Sequence, residues 1–576
     1  MNIDTKGHNK IVKAILILII SVIVCSVSII GGELEYAGND DTFRNLMAVG
    51  AFGDKYNYYI PFSNVLYGVP IYLLNSLIPQ VNWYYWVMIG LDVFAISGLC
   101  YVLFSRLRMP YIALLTTIVN LIFARDYYIV VQFTKTGYLW TIVGLAFVLY
   151  AVNRKGNGWI IGLFLLLCGI ASRSDCLMMT LPFAVCYVLA SILLQKSKID
   201  KEGMKKITSR VSICIVTVIL LFTSEFVFRK ANPEWEAFWK YNAASVYLRD
   251  HMNISYEHDV ASYDEINTDD NDIALYNSWL FGDTDFYTLG WLYDVTNIER
   301  NHNDVGLRFN TKVFAETTRN LLDVFIHAPI GSWGVIVLAV ALCIILLLKR
   351  GWQSKILGLC YLGGLWLIYW YFTCVNRFMW RAECGVFVAI IVFGALHLRN
   401  AIGAKEREAS ISEKSIADKK WIAMACGIVA IILIGGYSIK MGYQWRYDKD
   451  KHIVANEADI SGRLYSFLEN EDNTYMLTDF YVTNNPEGLT RAKWSGIYKN
   501  SVYLGNWVIP SPTGLYYAKE RGMDNPMTAL VEADNAYLYC RDYNKASAIQ
   551  SHLSKIFEKQ VSMEQISDEL WLYRIE

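Results

Sequence analysis

Uncharged apolar runs recur along the whole of this 576-residue chain and limit its fold more than any other feature. They cover approximately 11–30, 81–104, 111–123, 136–152, 159–171, 177–194, 211–228, 330–348, 356–372, 385–398 and 421–439. The first carries no charge between Ala14 and Ile30. About 20 apolar residues in a helix cross the hydrocarbon core of a bilayer. Inside lipid each backbone N–H and C=O must be satisfied within its own segment, so every run reads as a helix. The expected fold is therefore a polytopic α-helical membrane protein with about eleven transmembrane helices. Charged residues make up only 18% of the chain, below the share usual for a soluble domain.

A twelfth apolar stretch, 62–78, lies between Pro61 and Pro79 and contains Ser63, Asn64, Tyr67, Gly68 and Asn75. The positive-inside bias decides its treatment. If it does not span, the cytoplasmic loops are those with Arg106 and Arg108, Arg154 and Lys155, 196–210, Lys349 with Arg350 and Lys355, and 399–420. Every one is rich in Lys or Arg. If it spans, all of them move outside. The stretch is therefore expected to be an interfacial or re-entrant helix on the outer face. Lys6, Lys10 and Lys13 precede the first run, and no small-residue cleavage site follows it, so it reads as an uncleaved span with its N-terminus inside.

The same parity puts the sequence Asn39-Asp40-Asp41 just outside the first span. Adjacent carboxylates at a membrane exit suit an enzyme acting on lipid-carried substrates. One can take a proton from a hydroxyl, while its neighbour raises its pKa or helps hold a divalent metal such as magnesium or manganese. The plain alternative is a solvated loop whose acids mark the outer side. Arg125, Arg173, Arg377 and Arg381 fall in outer turns, against the usual charge bias. A phosphate is the natural partner for such cations, and local pairs with Asp126 and Asp175 are the competing explanation.

Two outer pieces are long enough to carry structure of their own. Residues 230–328 open on an amphipathic helical stretch from Pro233 and later hold Asp283-x-Asp285, a short pattern that could bind a cation or form a turn. Residues 441–576 read as a small α/β domain. Its expected strands are 475–478, 536–540 and 570–575, and its expected helices are 460–468 and 543–559. Two domains are thus expected: a transmembrane module, 1–440, with outer loops 31–80 and 230–328, and an extracytoplasmic domain, 441–576.

Other chemistry is poorly supported. A net charge of -1 gives no bulk attraction to nucleic acid. The 12 cysteines are scattered, mostly in apolar runs, and act there as small hydrophobes. No C-x-x-C pair, nucleotide loop or catalytic-triad spacing occurs. Aromatic residues reach 14% and gather at helix ends, which fits interfacial belts and equally fits sugar-stacking platforms.

In this pattern the chain resembles the GT-C superfamily of integral membrane glycosyltransferases. The features that carry the resemblance are an acidic pair after the first span, interfacial helices behind it, spans alternating with short outer turns, and a terminal outer domain. It looks most like an uncharacterised bacterial branch with Asn-Asp-Asp-aromatic, a Phe-Thr stretch (here Gln132-Phe133-Thr134-Lys135-Thr136) and an Asn-x-Trp element in the long loop. It departs from better-known members in having Asp40-Asp41 where they have Asp-Glu or a lone Asp, and in carrying Lys135.

The resemblance implies sugar transfer from a polyprenyl-phosphate-linked donor to a glycan, glycolipid or wall-polymer acceptor at the outer face of a bacterial plasma membrane. Asp40 and Asp41 would be catalytic or metal-binding, and Arg125, Arg173, Arg377 and Arg381 would grip phosphate. Two other classes stand beside it. A lipid-linked-glycan transporter or flippase would show internal symmetry, which is not visible, although Asp92 and Glu225 are charges within spans. A polysaccharide polymerase or ligase would rely on Arg and His, and the long loop holds His251, His258 and His302.

Overall fold

The computed structural model describes residues 5–32, 34–53, 56–152, 157–194, 201–304, 306–349, 351–409, 473–478, 498–567 and 571–576. Each apolar run within those residues is helical. The helices are α1 (Thr5–Gly31), α2 (Asn39–Ala48), α3 (Val65–Leu77), α4 (Trp83–Phe104), α5 (Met109–Ala124), α6 (Phe133–Ala151), α7 (Gly158–Ser172), α8 (Asp175–Leu194) and α9 (Lys201–Ala231), continuing through α10 (Pro233–His251), α11 (Val260–Glu265), α12 (Asp270–Asn277), α13 (Leu289–Glu299), α14 (Thr311–His327), α15 (Trp333–Leu348), α16 (Trp352–Cys374) and α17 (Trp380–Ala409). Among the described residues, seven helices are long and apolar enough to cross a membrane, and α3, α7 and α15 are shorter apolar helices. The expected span at 421–439, the linker from 410 and the expected helix at 460–468 lie outside the described residues.

The turns sort to two ends of the bundle in the pattern the charge bias requires. At one end Lys13 donates to the carbonyls of Ser105 and Leu107, at 2.9 and 3.0 Å. There too Arg210 reaches the Val152 carbonyl at 2.9 Å, and Asn400 reaches the Tyr187 hydroxyl at 2.9 Å. At the other end the segments around residues 40, 63, 125, 173 and 381 meet. Helix α3 stays at that end. Its N-cap Asn64 donates from its backbone to Ala171 at 2.8 Å, and Asn75, in its last turn, donates to the Ala48 carbonyl at 2.9 Å. Thirteen residues make about 20 Å of helix, too short to cross. Both of its ends are tied to the same end of the bundle, so α3 does not cross it.

Two sheets shape that end. A short parallel pair joins β1 (Glu35–Tyr36) to β2 (Val130–Val131), in register Glu35 with Val130 and Tyr36 with Val131. The second is a five-stranded mixed sheet in the order β4-β3-β5-β7-β6. Its strands are β3 (Thr474–Leu477), β4 (Ser501–Tyr503), β5 (Ala536–Tyr539), β6 (Met563–Ser567) and β7 (Leu572–Ile575). The strands expected at 475–478, 536–540 and 570–575 correspond to β3, β5 and β7. Ser501–Tyr503 and Met563–Ser567 were not foreseen, because three residues leave too little alternation to read and Met563–Ser567 has an exposed middle without an apolar face.

One apolar core crosses the boundary drawn at residue 440. Leu248, Tyr276, Leu280 and Leu292 of the long loop share it with Met476, Leu504, Leu538 and Leu553. A second core wedges α2 against the sheet, with Phe43, Met47 and Phe52 packed among Tyr475, Trp507 and Tyr517. The Tyr498 amide bonds to the Ala51 carbonyl at 2.8 Å and Arg521 to the Phe52 carbonyl at 3.0 Å. The helix carrying the acidic pair is thus clamped between the bundle and the C-terminal sheet.

Candidate functional site

The acidic pair begins a helix and is not a loop. Helix α2 starts at Asn39, so Asp40 and Asp41 occupy its first turn, where carboxylates complement the exposed amides and the helix dipole. Consecutive helical residues diverge by about 100° around the axis, and the two carboxylates accordingly meet different partners.

Asp40 is half-buried and turns outward. Its Oδ2 accepts from Arg381 Nη1 at 3.1 Å, and its Oδ1 accepts from Trp507 Nε1 at 2.9 Å. Asp41 is fully buried and turns inward. Its Oδ1 accepts from the Phe133 amide, the first N–H of α6, at 2.8 Å and from the Tyr84 hydroxyl at 3.1 Å. Burial pushes the Asp41 carboxyl up to about 6, while the nearby Arg44 guanidinium and the Phe133 amide pull against it. Arg44 is itself buried, lies 3.7 Å over the Phe133 ring and donates to the Ser63 hydroxyl.

Beside Asp40 opens a cleft of about 400 Å³, lined among others by Glu35, Tyr36, Arg125, Lys135, Trp380 and Arg381. The β1–β2 pairing forms one wall by docking the first loop on the segment after α5. A π-helical turn, Arg125–Ile129, carries the chain out of α5 and swings Arg125 toward the cleft. Beneath it, Asp126 Oδ1 accepts from Lys135 Nζ and Trp380 Nε1, both at 3.0 Å, and Arg125 lies 3.8 Å away. Lys135 also donates to the Val130 carbonyl at 2.7 Å, so this buried cation is paired and ties α5 to α6.

The four arginines singled out in the sequence do not act alike. Arg125 and Arg381 line the cleft. Arg173 pairs with Asp175 at 2.9 Å, the local pairing weighed for it above, and Arg377 pairs with Asp250 at 2.6 Å. Even so, Arg377 lies near enough to Arg381, Arg173 and Arg249 to feel their charges beside that of its partner Asp250.

Asp283 and Asp285 lie elsewhere. Asp283 is buried and accepts from His552 Nε2 at 3.0 Å and from Asn525 at 2.7 Å, and Asp285 also accepts from Asn525, at 3.1 Å. His552 Nδ1 bonds Asp272 at 2.6 Å. Burial alone would lower the pKa of His552, but its two carboxylate partners prevail and raise it. This node joins the long loop to helix Tyr543–Ile556, and its carboxylates are taken up by protein donors. Among the described residues no group of three His, Cys, Asp or Glu is placed to hold a metal ion. Both oxygens of Asp40 and Oδ1 of Asp41 are engaged by separate protein donors, and the two side chains diverge around the helix, so the pair does not fit a shared metal. His251 bonds the Val375 carbonyl, and His258 bonds Glu299 and stacks on His302. None of the three lines the cleft.

Sequence reading missed Arg44, Trp380 and Trp507. Arg44 carried a signal, since it follows Asp40 by four residues and Asp41 by three, the spacing of one helix face. Trp507 carried none, being 467 positions from its partner.

No protein-family model matches the chain, and no curated protein matches it. Among solved structures it is similar to ArnT from Cupriavidus metallidurans in the apo state, at 11% identity over 97% of each chain with a TM-score of 0.32. The architecture is settled by the seven long apolar helices and by the sorting of their turns to two ends. The chain is a polytopic helical membrane protein. In this membrane protein the cleft sits where the helix bundle meets the sheet-bearing end.

Proposed function

We propose that this membrane protein is a GT-C-type glycosyltransferase. It moves a sugar from a polyprenyl-phosphate-linked donor to a glycan, glycolipid or wall-polymer acceptor on the outer face of a bacterial plasma membrane. The observation that carries the reading is a single one. A part-exposed carboxylate, Asp40, stands beside a polar cleft at one end of a membrane bundle, bonded to a cleft-lining arginine, Arg381, and a second arginine, Arg125, also lines that cleft.

The chemistry follows from that juxtaposition. Asp40 accepts the proton of an acceptor hydroxyl as its oxygen attacks the anomeric carbon. The bond from that carbon to the phosphate oxygen breaks, and its electron pair leaves with the lipid phosphate. Arg381 and Arg125 stabilise the departing charge, since guanidinium groups bind phosphate through paired N–H donors. Attack opposite the leaving group inverts the anomeric centre. Arg173 and Arg377 add positive potential without needing to touch the phosphate. The N-terminus is inside, so the cleft and the C-terminal sheet face outward.

Purified protein in vesicles, offered undecaprenyl-phosphate-linked hexoses and pentoses, should release undecaprenyl phosphate. Asp40→Asn should abolish that release at unchanged expression and insertion. Full turnover in that variant overturns the assignment of the base.

A further inference from the structure

The C-terminal segment reaches the site at one side chain. Trp507 lies beyond the sheet strand Ser501–Tyr503, is 4% exposed, and donates its indole N–H to Asp40 Oδ1 at 2.9 Å. Its ring meets Phe62 edge-on at 5.0 Å and Phe43 at 6.1 Å. Of the seven non-glycine residues with left-handed backbone among those described, three lie on the segments that hold this indole, in ring contact, as its chain neighbour, or one hydrogen bond further out: Phe62 at φ 67°, Asn506 at 61° and Trp279 at 66°. Phe62 is the ring that meets the indole edge-on. Asn506 immediately precedes it and accepts from the Trp507 amide at 2.7 Å. Trp279 supplies the carbonyl that receives the Asn506 amide at 3.0 Å. At Gly505 a Cβ would stand 2.1 Å from that same carbonyl, so only glycine allows the approach. Arg249 covers the Trp279 ring at 3.4 Å. Disfavoured conformations persist where the surroundings over-determine them, and they gather at functional sites.

We infer that Trp507 is a positioning residue that keeps the Asp40 carboxylate aimed while Arg381 turns to the donor phosphate. This rests on the glycosyl-transfer reading above. In the structure Arg381 spends one N–H donor on Asp40. A phosphate in the cleft competes for that guanidinium, and Asp40 then loses its other tether. An indole N–H is a donor only. It therefore fixes Oδ1 without competing for the proton, leaving Oδ2 to take it from the acceptor. The N–H is neither consumed nor ionised in the step.

The test replaces Trp507 in the full-length protein with benzothienylalanine, which keeps the edge-on ring packing and lacks the donor, and in parallel makes Trp507→Phe. Release of undecaprenyl phosphate from undecaprenyl-phosphate-linked sugars is measured against donor concentration. The expected result is a loss in kcat on the order of tenfold to a hundredfold, as misplacing a reacting group by about 1 Å produces. KM for the donor should stay within about twofold, because the phosphate-binding arginines are untouched. A loss confined to KM, or unchanged kinetics in the benzothienylalanine protein while the wild type turns over, overturns this assignment alone. No turnover by the wild type with any donor tried overturns the glycosyl-transfer reading, and this assignment with it.

Discussion

Asp40 and Asp41 are neighbours in the chain and belong to different environments. Asp40 is bonded to Arg381 and Trp507, which arrive from 341 and 467 positions away. Asp41 closes the N-terminus of α6 through the Phe133 amide and is buried against Tyr84. One is part-exposed beside the cleft and the other is buried in the scaffold.

That division predicts unequal mutants. Asp40→Asn should remove turnover. Asp41→Asn keeps an oxygen for the Phe133 amide and the Tyr84 hydroxyl, so it should retain activity within about tenfold of wild type. Initial rates of undecaprenyl phosphate release from the two purified variants compare them directly. Equal loss in both would remove the distinction.

Asp41 also sets a pH dependence. Its folded-state value is raised from 3.8 to about 6, chiefly by burial. A raised value favours the protonated form in the fold. Its stabilising contribution is therefore full below about pH 4 and lost as pH rises through about 6, a change of roughly 3 kcal/mol. Melting temperature in detergent should fall across that window in the wild type, and the fall should be smaller in Asp41→Asn. Parallel curves for the two proteins would contradict this.

The arginines should separate by location. Arg381→Ala and Arg125→Ala should weaken donor use by at least tenfold, since each removes a cleft-lining cation. Arg173→Ala, which breaks an exposed pair with Asp175, should change donor use less than threefold and stability by under about 1 kcal/mol. Kinetics against donor concentration give the ranking.

His552 should matter for docking of the long loop on the C-terminal sheet unit. It lies buried between Asp272 and Asp283, and its removal leaves two buried carboxylates without that partner. His552→Leu should destabilise by about 3–5 kcal/mol. Limited proteolysis should then cut within 252–288 at protease levels the wild type resists. In the wild type the raised His552 value favours docking below about pH 6.5, and that contribution is lost as pH rises through the folded value. The lowered Asp272 and Asp283 values add stability above about pH 4 that is lost as pH falls through them.

Sidedness has its own test. Ala37 is exposed next to the cleft. A cysteine there, in a background without reactive native cysteines, should react with a membrane-impermeant thiol reagent on intact cells. Reaction only after permeabilisation would place the cleft in the cytoplasm and remove the lipid-linked donor from outer-face chemistry.

Apolar run length and charge bias alone indicated the helices among the described residues, that 62–78 does not cross the bundle, and the gathering of Asp40, Arg125, Arg173 and Arg381 at one end. Those features are legible because a bilayer imposes its thickness and its charge asymmetry on every segment independently of the others. The local pairing weighed for Arg173 was readable too, because Asp175 stands two residues away.

Only the tertiary structure decided which carboxylate bonds a cleft-lining arginine, which arginines line the cleft, and that Trp507 holds Asp40. It also showed that Asp283 belongs to a buried node and that the long loop shares its core with the C-terminal sheet. Such pairings join residues hundreds of positions apart. They depend on packing and hydrogen-bond satisfaction that leave no periodic trace in a single sequence.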